Sequence, residues 1–230
     1  MTRSKTLALT LGAVTIAAVS AIAAVGSGYT LFGGATYVMP GHNSNRAVNL
    51  VSDGTVPYSG IDFGVAAGMK FSDIVTLATD YNFTHNSCGG GSPRFQINVT
   101  TPNGSGNINV YIGPTVCAAG WTSSGNLVTP TSVVDTTGIP YFYGTFANAQ
   151  TVYGSYPVTG IQLVVDGGWA FADGIQTVLV DNVVINGNTY TFEPNSKDDC
   201  KNGGWQNFTS PPGPFTNQGQ CVSSFASGNH

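Results

Sequence analysis

Apolar and polar residues alternate over two neighbouring stretches of this chain, a pattern that suits strands with one face in a core. In residues 94–100, Phe95, Ile97 and Val99 fall on one side and Arg94, Gln96, Asn98 and Thr100 on the other. In 107–112, Ile108, Val110 and Ile112 alternate with Asn107, Asn109 and Tyr111. Successive side chains of a strand point to opposite faces, so both stretches read as half-buried strands. Thr101-Pro102-Asn103-Gly104-Ser105-Gly106 lies between them with Asn-Gly at its centre, which predicts a hairpin. A second hairpin is expected from 178–185 to 189–192 through Asn186-Gly187-Asn188. Further strands are expected at 47–51, 61–65, 75–83, 141–144 and 159–165, and one short helix at 146–152 closed by Gly154. About nine strands with one apolar face predict an all-β fold: a two-sheet antiparallel β-sandwich, jelly-roll-like, over residues 35–193.

Charge supports this reading and excludes others. The chain carries 7 Lys+Arg and 11 Asp+Glu, and Glu193 is its sole glutamate, so helices lack their favoured surface residues. With 41% hydrophobic residues and a formal charge of -4, it does not have the composition of a disordered polymer. No basic face exists to grip nucleic acid.

Arg3 and Lys5 precede an apolar run over 7–25, and Ala21-Ile22-Ala23 suits signal cleavage. Residues 1–26 are therefore expected to be a secretory signal peptide. The alternative is an uncleaved anchor, near the ~20 residues a span needs, but Thr6, Thr10, Gly12, Thr15 and Ser20 weaken it. Without that segment no second apolar run remains, so no membrane span is expected after cleavage, and the protein is expected to be secreted. The four cysteines agree with export, since an even count behind a signal reads as disulfides. Of three pairings, Cys88–Cys117 with Cys200–Cys221 is favoured because each closes a short loop inside one unit. A zinc site finds no Cys-x-x-Cys spacing, and His42, His85 and His230 are scattered.

Asp181 interrupts the apolar run Val178-Leu179-Val180-Asp181-Asn182-Val183-Val184-Ile185, and an acid there needs a partner. This segment and its hairpin resemble the closing strand of carbohydrate-binding jelly rolls and galactose-binding-like sandwiches. The resemblance implies that fold, often with a structural calcium and sometimes with glycan binding.

After Glu193-Pro194-Asn195 the composition changes, and residues 196–226 are expected to form a small Cys-stapled unit. Cys200-Lys201-Asn202-Gly203-Gly204-Trp205 and Phe215-Thr216-Asn217-Gln218-Gly219-Gln220-Cys221 resemble a motif near the C-termini of uncharacterised secreted bacterial proteins. Too short for a core of its own, the unit is expected to gather Trp205, Phe208 and Phe215 around the Cys200–Cys221 staple.

No catalytic set emerges. Ser, His and Asp form no triad pattern, and there is no Gly-x-Ser-x-Gly elbow. Gly89-Gly90-Gly91 opens no helix and reads as a flexible link. Calcium takes oxygen ligands, and Asp166, Asp173 and Asp181 are its candidate ligands beside turn-capping roles. Sugar binding needs aromatic platforms with a few polar groups; Trp121, Trp169, Tyr111, Tyr141 and Tyr143 are the candidates, against a role filling the rim of the core. Arg94 is expected to pair with Asp80 or another strand acid. The leading expectation is a secreted, non-catalytic module that binds a polysaccharide or cell-surface glycan. Its rivals are a glycan-cleaving enzyme using paired Asp residues and a structural envelope or adhesion protein.

Overall fold

The alternating stretches do pair as expected in the computed structural model, which describes residues 28–102, 104–113 and 117–226. The expected signal segment lies outside the described residues. Strands β1 (Tyr29–Gly33), β2 (Thr36–Val38), β3 (Ala47–Ser52), β4 (Ser59–Phe63), β5 (Leu77–His85) and β6 (Arg94–Thr101) come first. Then follow β7 (Gly104–Tyr111), β8 (Thr122–Ser123), β9 (Val133–Thr137) and β10 (Tyr143–Thr145), and helix α1 (Phe146–Tyr153). Strands β11 (Val158–Val165), β12 (Gln176–Ile185) and β13 (Asn188–Tyr190) complete the sheets, and helix α2 (Gln218–Ala226) closes the tail.

All pairings are antiparallel. One sheet has seven strands in the order β1-β4-β11-β6-β7-β9-β10; the other has six, β2-β3-β12-β5-β8 with β13 hairpinned onto β12. Phe95, Ile97 and Val99 of β6, Ile108 and Val110 of β7, and Ile161, Leu163 and Val165 of β11 form the inner face of the first sheet. Leu77 and Tyr81 of β5 and Val178, Val180, Val183 and Ile185 of β12 oppose them from the second, in one core. The β6–β7 register runs from Arg94↔Tyr111 to Thr101↔Gly104, so only residues 102 and 103 separate the strands. The turn is tighter than the sequence suggested because Thr101, Gly104 and Ser105 join the ladder.

In β12 the inward positions change phase, from Val178 and Val180 to Val183 and Ile185. A bulge between Asp181 and Val184, with Asn182 at φ 47, inserts the extra residue. Asn tolerates this left-handed conformation better than most residues. The bulge lets Asp181 leave the core line without displacing the valines after it.

Helix α1 matches expectation: the Thr145 side chain caps its start by accepting from Asn148 N–H, and Gly154 ends it. Strands β1, β2, β8 and β9 and helix α2 are not marked by the sequence pattern. β1 begins before residue 35 and extends the larger sheet. α2 is built from Gln218-Gly219-Gln220-Cys221-Val222-Ser223-Ser224-Phe225-Ala226, whose glycine and serines favour a helix weakly.

Both expected disulfides form, Cys88–Cys117 and Cys200–Cys221. In the tail, Cys200, Phe208, Phe215 and Cys221 make a satellite core against which Met39, Trp205, Val222 and Phe225 pack. This unit is tied to the sandwich through residues 45 and 46. Asn45, fully buried, donates from its backbone and side-chain nitrogens to the Glu193 carboxylate at 2.8 and 2.9 Å, donates to Pro211 O and accepts from Ser210 N–H. Arg46 donates to Phe192 O and Glu193 O, pairs with Asp199 and lies over the Tyr37 ring. No helix among the described residues is long and apolar enough to cross a membrane.

Candidate functional site

The strand alternation that buries Phe95 and Ile97 turns Arg94, Gln96 and Asn98 outward, and the same register brings Asn107, Asn109 and Tyr111 beside them. Gln162 of β11 lies across from Gln96, and Asp62 of β4 across from Gln162. The outer face of the seven-stranded sheet thus carries a polar floor, flanked by Val164 and Phe32. Its centre is Arg94, which meets Asp166 through two parallel bonds of 2.6 and 2.8 Å. Such a fork is among the stronger charge-assisted contacts. Asp166, rather than Asp80, is therefore the strand-end acid that pairs with Arg94. Arg94 also donates to Asn109, Gln96 and Gly91 O. Asn109 donates to Asp135 at 2.8 Å, and the Tyr111 hydroxyl donates to the same carboxylate at 2.5 Å. Burial first, then this bond to Asp135, pushes the Tyr111 phenol above its ordinary value.

Two grooves open on this floor. The larger, about 620 Å³, lies at the β7–β9–β10 end between the Gly89-Gly90-Gly91 turn, Tyr111, Val133 and Tyr143. The smaller, about 390 Å³, crosses β4, β11 and β6 and is lined by Phe32, Tyr58, Arg94, Gln96, Gln162 and Asp166 among others. Both volumes fall in the range of small-molecule sites.

The glycine run is an ordered turn and not the flexible link the sequence suggested. Gly89 and Ser92 exchange both backbone hydrogen bonds, and Gly90 and Gly91 carry φ 61 and 74, the double positive-φ turn that glycine permits. Close approach adds a second requirement. A Cβ on Gly90 would sit 3.0 Å from the Trp169 ring, and one on Gly91 3.1 Å from the Tyr111 ring. The turn therefore lies between two aromatic rings, and Cys88–Cys117 anchors its start.

The aromatic candidates divide. Tyr111 and Tyr143 line the larger groove; Trp169, 75% exposed, stands on the other side of the glycine turn; Tyr141, 80% exposed, projects from the β9–β10 connection. Trp121 is elsewhere. It stacks on His42 with ring centroids 5.0 Å apart, over the outer side of the six-stranded sheet. Phe32 and Tyr58, at the far end of the floor, were missed: Phe32 lies in the unrecognised β1, and Tyr58 just before β4.

The candidate calcium ligands are not brought together. Asp166 is held by Arg94. Asp173 accepts from Asn86 and contacts His85 at 2.6 Å, and the His85 bond is the main cause holding its carboxyl below the usual value. Asp181 is buried in a third place. Among the described residues no group of three or more His, Cys, Asp or Glu side chains is placed to hold a metal ion.

The partner that Asp181 required comes from residues 42–44, which the sequence did not connect to it. Asp181 Oδ2 accepts from His42 N–H at 2.8 Å and from Ser44 Oγ at 2.5 Å, and Oδ1 accepts from Asn182 N–H at 2.7 Å. Asp80, directly across in register, contacts His42 Nδ1 and accepts from Asn182 Nδ2, both at 2.9 Å. Burial outweighs these bonds and lifts the Asp181 carboxyl above its ordinary value.

No protein-family model matches the chain, and no curated protein matches it. Among solved structures it is similar to an exo-beta-agarase at 16% identity and TM-score 0.38, over 73% of this chain but only 25% of that one. It is also similar to the L4b domain of human laminin alpha-2, at 11% identity and TM-score 0.37, over 66% of this chain and 96% of that one. A third is the xyloglucanase domain of NopAA from Sinorhizobium fredii in complex with cellobiose, at 12% identity and TM-score 0.30, over 74% and 100% of the two chains. Similarity this low leaves the site to be read from its own residues.

Proposed function

We propose that the outer face of the seven-stranded sheet binds a polysaccharide or cell-surface glycan without cleaving it, as a module of a secreted protein. The observation that carries this is the arrangement of aromatic rings around a floor of amides. Tyr111 and Tyr143 line the groove at one end and Phe32 and Tyr58 the groove at the other, with Gln96, Asn98 and Gln162 between, and Trp169 stands exposed beyond the glycine turn. Rings give apolar platforms for sugar faces, and amides both donate to and accept from hydroxyls. Two disulfides suit an oxidising compartment. The non-catalytic reading is supported by the carboxylates of the face: Asp166 and Asp135 are committed to Arg94, Asn109 and Tyr111, which leaves Asp62 alone, whereas hydrolysis needs two carboxylates available to the scissile bond.

Affinity electrophoresis against a broad polysaccharide panel tests the proposal. Binding that is lost with Trp169→Ala and Tyr143→Ala together supports it; absence of binding across the panel overturns it.

A glycan-cleaving enzyme is the second reading, favoured by one observation: Asp80 and Asp181 face each other across β5 and β12, and the Asp181 carboxyl is raised. Neither groove is lined by this pair. Release of reducing ends by the wild type, abolished in Asp80→Asn, would establish it in place of the first.

A further inference from the structure

The groups left open on the seven-stranded face define a narrower ligand class than glycans in general. This step rests on the glycan-binding reading of the same face. Arg94 is the sole cation lining either groove. Guanidinium has five N–H donors, and in Arg94 all are used within the protein. Nε donates to Asn109; Nη1 donates to Gly91 O and Asp166; Nη2 donates to Gln96 and Asp166. No donor remains for a carboxylate or sulfate on a ligand. The other described cations lie off the grooves: Lys70 at the bridge to Pro157, Arg46 against Glu193 and Asp199, and Lys197 and Lys201 in the tail.

Negative charge on the floor is less fully countered. Asp62, Asp135 and Asp166 all project on this face, against the single guanidinium. Among the described residues the Asp62 carboxylate has no hydrogen-bond donor. The unpaired groups otherwise are neutral: the Gln162 and Asn98 side-chain N–H₂, the Asn107 amide, and the Tyr58 and Tyr143 hydroxyls. Gln162 and Asn98 use only their oxygens, accepting from Gln96 at 3.0 and 3.4 Å.

We infer that the ligand is an uncharged polysaccharide, and that this face excludes uronate-rich and sulfated glycans. Neutral hydroxyls satisfy free amides and donate to the Asp62 carboxylate. An acidic glycan would bring its charge against a carboxylate-rich floor with no cationic donor to receive it, and like charges at such range repel.

The experiment measures binding of the wild-type protein to neutral glucan, galactan and mannan, and to polygalacturonate, alginate and a sulfated galactan, at low salt and at about 1 M, where screening shortens to about 3 Å. A neutral polysaccharide that binds about tenfold or more tighter than every acidic one, with little change in salt, supports the inference. An acidic polysaccharide that binds as tightly as the best neutral one at low salt overturns it while leaving glycan binding intact. Binding to none of the six removes the glycan reading itself. Asp62→Lys supplies a second test. It introduces an unpaired cation beside Gln162 and is expected to raise low-salt binding of the acidic set; no gain would show that charge is not what excludes them and would overturn the inference.

Discussion

The two outer faces of the sandwich use the same residue types for opposite ends. On the six-stranded side, His42, Ser44, Asp80, Asp181, Asn182 and Trp121 close upon one another: both Asp181 oxygens accept hydrogen bonds, and the Trp121 ring is stacked against His42. On the seven-stranded side, Arg94, Asp166, Asn109 and Asp135 form a similar network, but Gln162, Asn98 and Asp62 beside it keep free atoms and Trp169 stands in solvent. The difference teaches that residue type does not separate a strut from a binding surface. What separates them is whether each polar atom has already found a partner, because a satisfied group has nothing further to offer a ligand.

The largest test of this contrast concerns the six-stranded side and its tail. Replacing Cys200 and Cys221 with serine opens a staple spanning 21 residues and is expected to cost about 3 kcal/mol. Urea unfolding reads the loss, while glycan affinity of the folded fraction should stay unchanged. A matching loss of affinity would mean the tail contributes to the site.

Asp181→Asn comes next. Asparagine cannot accept from His42 N–H, Ser44 and Asn182 N–H together as the carboxylate does, so a buried donor is left unsatisfied, at about 1–3 kcal/mol. The pH dependence has a definite sign. With its pKa raised above 3.8 in the folded state, Asp181 holds its proton more tightly there than in the unfolded chain. Its contribution favours folding at acid pH and is lost as pH rises from 3.8 through the raised value. The wild type's advantage over Asp181→Asn should therefore shrink across that window in paired urea titrations. An advantage that grows with pH would contradict the assignment of burial as the dominant cause.

Ring removal reverses the pattern of effects. Trp169→Ala with Tyr143→Ala is expected to weaken glycan binding about tenfold, or about 1.4 kcal/mol, while leaving stability within about 0.5 kcal/mol, since both rings are largely exposed. Trp121→Ala should do the opposite, lowering stability and sparing affinity. Calorimetric titration beside thermal unfolding separates them; equal loss of affinity in both would erase the distinction between the two faces. The smallest change is Gln162→Ala, expected to reduce affinity about twofold to threefold, or roughly 0.5 kcal/mol, with no measurable change in unfolding.

Much of the fold is legible in the sequence. The alternation in 94–100 and 107–112 gave strands β6 and β7, and the turn residues between them gave their pairing. Cysteine spacing gave both disulfides. Short or composition-poor elements were illegible: β8 has two residues, and α2 contains Gly219, Ser223 and Ser224. Site residues followed the same rule. Tyr111 and Tyr143 are legible because they sit in or near patterned strands, Trp121 and Trp169 share only their size and a preceding glycine, and Phe32 lies in β1, which the sequence pattern does not mark. The candidate calcium ligands lie apart because Asp166 follows β11 of one sheet, Asp181 sits within β12 of the other, and Asp173 bonds Asn86 and His85.

What the sequence determined by itself was local and covalent: which side chains share a face, where the chain turns, and which cysteines lie close along it. Those properties follow from the fixed geometry of a strand, in which neighbours must point opposite ways. Tertiary structure alone decided which polar atoms are spent and which remain. Arg94 meets Asp166 across 72 positions, and Asp181 meets His42 across 139. No periodicity records such pairings; they exist only when the sheets stack and distant segments come within hydrogen-bonding distance.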